Sequence, residues 1–173
     1  MELEKLSVDV KVLLAITISE KVFMAIDKSD ERYLDGREAL DKCWKWCEDR
    51  SISGDDLYEI IDNAECVGIS EFAEAEEDLS IARLWSLLVD TVAYTAWMAY
   101  EEEKTIYLPQ MIEGISEESI FVIIESAIKT GFITQREIDE VVDLLLLEDG
   151  QNSISKSVNK ESILNQIIHT TKE

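Results

Sequence analysis

The chain has 173 residues, 46% of them apolar and 8% aromatic, enough for one domain with a sizeable core and too apolar for a disordered acidic tail. Lys and Arg total 16 against 38 Asp and Glu, a formal net charge of −22 that disfavours nucleic acid and anionic membranes and favours a basic partner. With one proline and six glycines there is little material for turns, so the composition predicts an all-α single-domain bundle of six or seven helices.

The start, Met1-Glu2-Leu3-Glu4-Lys5, has neither the basic stretch nor the small-residue cleavage site of a leader. Three cysteines cannot all pair within one chain, and free thiols in the cytoplasm are expected. Residues 2–28 carry two overlapping patterns. Val8, Val10, Val12, Leu14, Ile16 and Ile18 alternate as in a strand, while Leu6, Val10, Leu13, Leu14 and Ile18 share a helical face. No turn signal interrupts the segment and no second strand is at hand to pair with it, so a helix is predicted.

Asp35, with Glu38 three residues on, predicts the cap of a second helix whose core face is Ala39, Leu40, Cys43, Trp44 and Cys47. Trp46 lies about 90° from the centre of that face, where a partly exposed ring is expected. A third helix is predicted from Ser53, with Asp55 and Asp56 in its first turn and Leu57, Ile60 and Ile61 inward. Gly68 closes that region, and the acidic run from Glu71 to Asp78 follows.

Residues 79–102 form a helix apolar on nearly every side, predicted to be the centre of the bundle. Arg83, Ser86, Asp90, Tyr94 and Trp97 fall along one stripe of it, either a wetter edge or a buried polar seam. The stretch from Leu84 to Tyr100 is short for a membrane span and is followed by Glu101-Glu102-Glu103, so a core helix is the better reading. Pro109 breaks the pattern. Ser116-Glu117-Glu118 opens a helix that Gly131 stops, and Thr134 with Glu137 caps another carrying Ile138, Val141, Val142, Leu145 and Leu146 inward. Residues 1–149 are therefore expected to form the helical domain, and 150–173 a polar linker with a short C-terminal helix.

Signals for chemistry are sparse. His169 is the only histidine and lies near the end, a poor place for general acid–base work. Cys43 and Cys47 share a helix face, but it is the apolar face, and only Cys66 and His169 remain to complete a zinc site. There is no phosphate-cradling glycine loop and no basic stripe to track a nucleic-acid backbone. No catalytic residue, cofactor or metal ligand is assigned, and the chain is read as a binding protein rather than an enzyme.

Acidic residues concentrate between positions 48 and 78, opposed within that span only by Arg50. A carboxylate run is as readily a solvated face as a binding face. Beside an aromatic at the core border it becomes a candidate interface, comprising Trp46, Asp49, Asp55, Asp56, Glu59, Asp62, Glu65, Glu71, Glu74, Glu77 and Asp78.

The order of several short motifs carries a family resemblance. Asp41-Lys42-Cys43-Trp44-Lys45-Trp46, then Gly54-Asp55-Asp56-Leu57-Tyr58, Asp90 with Ala93-Tyr94, Trp97 and Tyr100, and Tyr107-Leu108-Pro109-Gln110 resemble the sixth numbered immunity family of bacterial polymorphic toxin systems. The resemblance covers roughly residues 8–130. It implies a stoichiometric inhibitor, without a cofactor, that binds a cognate toxin domain encoded nearby. The toxin is expected to be basic and is possible as a nuclease, whose phosphate-binding cleft a carboxylate surface can occupy. Two other classes stay open: an acidic helical adaptor with no toxin partner, and an enzyme using buried carboxylates around Asp90.

Overall fold

A computed structural model describes residues 3–63, 68–151, 160, 161 and 163–165, with 148–151 described for the backbone alone. A 3-10 turn, Leu3–Lys5, leads into α1 (Val8–Phe23), α2 (Tyr33–Asp49), α3 (Gly54–Ile61), α4 (Ser70–Ala75), α5 (Leu79–Glu103), α6 (Gln110–Glu113), α7 (Ser119–Thr130) and α8 (Gln135–Gln151). There is no strand among the described residues, and the protein is all-α. The helices outnumber the expected six or seven because α4 and α6 are only six and four residues long, too short for a periodic pattern to reveal.

The competing patterns in α1 have a common cause. Thirteen of its sixteen residues are buried, because it packs against α2, α5, α7 and α8. A helix covered on every side is apolar on every side, and a period-two subset can then be picked out of it by chance. Two of its polar groups bond across to neighbouring helices, while the buried Thr17 hydroxyl has no hydrogen-bond partner among the described residues. Ser19 and Thr91 share a 2.6 Å hydroxyl hydrogen bond between α1 and α5. Glu20 accepts from the Trp44 indole at 2.7 Å and from Arg37 at 2.8 Å, fastening α2 to α1.

The central helix α5 begins on Asp78, whose carboxylate accepts from the Ser80 and Ile81 amides at 2.8 and 3.1 Å. It meets every other helix except α8 with a substantial contact. Trp85 and Leu88 are 0% and 1% exposed, as a central helix requires. Gly131, at φ +80°, stops α7, and Thr134 and Glu137 form the expected reciprocal cap of α8. Two starts differ from expectation. Helix α2 begins before Asp35, so Asp35 sits in its first turn rather than capping it, and α7 begins at Ser119, three residues after Ser116. Beyond α8, Ile163 is buried and Lys160 reaches Asp41 of α2 at 2.6 Å, so this part of the tail lies against α2; residues 152–159, 167 and 168 fall outside the described set.

Candidate partner-binding surface

The acidic segment is seated by the C-terminal half of α5. Ser53 caps α3, accepting from the Asp56 amide at 3.0 Å while Asp56 accepts from the Ser53 amide at 3.1 Å. The first residue of α3, Gly54, lies flat on the Tyr100 ring, where an added Cβ would come within 2.5 Å of a ring carbon. The Gly54 amide donates to Glu103 at 2.9 Å, and the Tyr100 hydroxyl donates to Asp55 at 2.7 Å. With Leu57 and Ile61 turned inward, Asp55, Asp56, Glu59 and Asp62 face water. Helix α4 is hung on the end of α3: the Ile69 amide donates to the Ile60 carbonyl at 2.9 Å and the Ser70 hydroxyl to the Ile61 carbonyl at 2.7 Å. Glu71 and Glu74 on α4, and Glu77 and Asp78 after it, are also exposed.

The expected carboxylates that the structure describes on α3, on α4 and after it are exposed, but they are not alike. Asp49 is paired with Lys45 at 2.9 Å and is held down at about 2 by hydrogen bonds from Ser51 and from Lys45. Asp55, Asp56 and Asp78 accept the structural hydrogen bonds already described. Among the described residues, the carboxylates of Glu59, Glu71, Glu74 and Glu77 take no hydrogen bond and no ion pair. Glu65 lies outside the described residues. Arg50, the one cation between positions 48 and 78, pairs with Asp9 at 3.1 Å and Glu102 at 3.3 Å, neither of them in the acidic set.

Trp46 is not the partly exposed ring expected of it. It is 1% exposed, with the Arg50 guanidinium 3.8 Å from the ring centroid. Arg50 ends α2 in a left-handed conformation, φ 56°, which turns its side chain back over the ring to donate to the Trp46 carbonyl at 3.1 Å. A large indole at the border of a helix face can reach round into the core. In this conformation Trp46 cannot be an anchor for a partner.

A groove of about 300 Å³ lies between α2 and α3, lined by Asp35, Glu38, Lys42, Glu59, Ile60, Asn63 and Ile69. Three carboxylates against one ammonium give the groove a net negative lining. Lys42 pairs with Glu38 at 3.2 Å, leaving Asp35 and Glu59 unpaired. From the sequence Asp35 and Glu38 are expected only to start α2. Their spacing with Lys42, three and four residues, marks one stripe of α2 and was the available signal.

The cysteines and Asp90 complete the search for chemistry. Cys43 and Cys47 are buried, and burial pushes the Cys43 thiol up to about 12, far from a reactive thiolate. Among the described residues no three or more His, Cys, Asp or Glu side chains gather as metal ligands; Cys66 and His169 lie outside them. Asp90 lines a separate pocket between α5, α6 and α7, described below. None of the described helices is long and apolar enough to cross a membrane.

No curated protein and no solved structure matches this chain. One family model does match, described as Immunity protein Imm6, over residues 10–130, from the first turn of α1 to the last residue of α7. That span contains the whole acidic surface and all the motifs that carried the resemblance, and the chain belongs to the Imm6 family of immunity proteins.

Proposed function

We propose that this immunity protein neutralises a cognate toxin domain in the bacterial cytoplasm by stoichiometric binding, with neither catalysis nor a cofactor of its own. The proposed contact is the carboxylate surface of α3 and α4 together with the groove between α2 and α3. The observation that carries this reading is the state of Glu59, Glu71, Glu74 and Glu77: exposed, and without an internal cation. Four carboxylates with no structural duty raise the local negative potential, and a protein keeps such a field usefully when its partner is positive. A nuclease is the toxin class that fits best, because its cleft is built to hold phosphates. Removing Trp46 from the site shifts the expected binding energy from an aromatic anchor to the groove, where a lysine or arginine of the toxin meets Asp35 and Glu59.

The test is co-expression in a bacterial host with the C-terminal domain of the toxin encoded beside this gene. Survival together with a one-to-one complex on size-exclusion chromatography is expected. Cell death, or survival without any complex, contradicts the proposal.

A further inference from the structure

The pocket between α5, α6 and α7 holds an ionisable group with nothing to answer it. Asp90 is half-buried and shares the lining with apolar residues, Met111 from α6 and Val122 and Ile123 from α7 among them. Among the described residues its carboxylate accepts no hydrogen bond and forms no ion pair. Every other lining side chain is uncharged; Tyr94 is the only other titratable one, and its hydroxyl donates to the Glu117 carbonyl at 3.1 Å. The mouth is open and apolar, since Met111 and Val122 are 45% and 59% exposed. The volume, about 170 Å³, is similar to that of a cavity of roughly 150 Å³ that takes a benzene ring.

We propose that this pocket is a second contact site for the toxin and receives the side chain of one of its lysines. The inference rests on the toxin-binding reading but concerns a surface distinct from the acidic face. Apolar walls suit a four-carbon stem, and the lone carboxylate at the side suits the ammonium at its end. Arginine fits less well. Its guanidinium presents five donors in a broad planar fork, while the pocket offers one carboxylate, the Ser119 hydroxyl already accepting from the Ser116 amide at 3.1 Å. Burial holds the empty carboxyl up at about 6, so at neutral pH most of it is a desolvated anion that a bound cation relieves.

The probe is n-butylammonium chloride, titrated into the methyl-labelled full chain at about pH 8, with 1-butanol as the neutral counterpart. Saturable shifts of the Ala93, Val122 and Ile123 methyls at millimolar butylammonium are expected. Binding should be about tenfold weaker for butanol, and about tenfold weaker for butylammonium when the chain carries Asp90→Asn. In the toxin complex, Asp90→Asn should raise Kd by about tenfold, mostly through faster dissociation. Equal affinity for the amine and the alcohol overturns the charge recognition, and absence of methyl shifts overturns the pocket. An unchanged toxin Kd in Asp90→Asn overturns the lysine contact while leaving the acidic-face reading standing. A wild-type chain that binds no toxin removes the functional reading and this occupant together, whereas the amine titration still decides the chemistry of the pocket.

Discussion

Replacing Asp90 by asparagine should stabilise the protein, and by an amount that depends on pH in a defined way. The carboxyl is raised from 3.8 to about 6 by burial, with no partner to offset it. A shift of about two units corresponds to about 3 kcal/mol at about 1.4 kcal/mol per unit. The sign follows from linkage. The folded state binds this proton more tightly than the unfolded chain, so the stabilisation is present below about pH 4 and is lost as pH rises through 6. Asparagine keeps the shape and does not titrate. The gain from Asp90→Asn should therefore be larger at about pH 8 than at about pH 4.5, by about 2 kcal/mol. Urea denaturation of both proteins at several pH values, compared as a difference at each, cancels the other carboxylates. A gain that is flat across that range, or one that grows toward acid, would refute the claim that Asp90 is a half-buried charge without a protein partner.

Three further substitutions test the packing. Leu88→Ala, at the centre of α5, should cost about 2–5 kcal/mol by chemical denaturation through lost burial and a cavity. Gly54→Ala places a methyl against the Tyr100 ring and should cost about 1–3 kcal/mol, and amide exchange should show α3 loosened before α7. Arg50→Ala uncovers Trp46, so acrylamide quenching of tryptophan emission should rise, with about 1 kcal/mol lost; unchanged quenching would mean that the indole is sheltered without the guanidinium.

How far the sequence reveals this molecule depends on which physical effect decides each feature. Local effects were legible. Thr134 with Glu137 and Gly131 each act through a few neighbouring backbone groups, and each does in the structure what its pattern predicts; α5, by contrast, ends on Lys104 at φ 55°, five residues before Pro109, which precedes α6. The central helix was legible because twenty-five residues are enough to show apolarity on every side. Tertiary effects were not. Nothing near Trp46 in sequence says that Arg50 will fold back over it, because that depends on the left-handed end of α2 and on Asp9 and Glu102 from two other helices. Glu20 is internal to α1, and only the packing of α2 brings it Arg37 and Trp44. The acidic region was found by its density of charge, yet density does not separate Asp55, Asp56 and Asp78, which have structural partners, from Glu59, Glu71, Glu74 and Glu77, which have none. The groove was missed because half of it belongs to α2, some twenty residues upstream of Glu59.

The central claim is that this immunity protein captures its toxin through those unpaired carboxylates. Its most direct test is the association rate with the toxin domain for wild type and for the combined Glu59→Lys, Glu71→Lys, Glu74→Lys and Glu77→Lys variant. The carboxylates of these four glutamates make no hydrogen bond or ion pair among the described residues, so the variant should keep the wild-type helicity. Steering predicts that the wild-type rate falls at least about tenfold from low salt to about 0.15 M, where the Debye length is about 8 Å. The variant should associate more slowly still at low salt and show little salt dependence. A folded variant that associates at the wild-type rate, with the wild-type dependence on salt, would place the toxin on another face of the molecule.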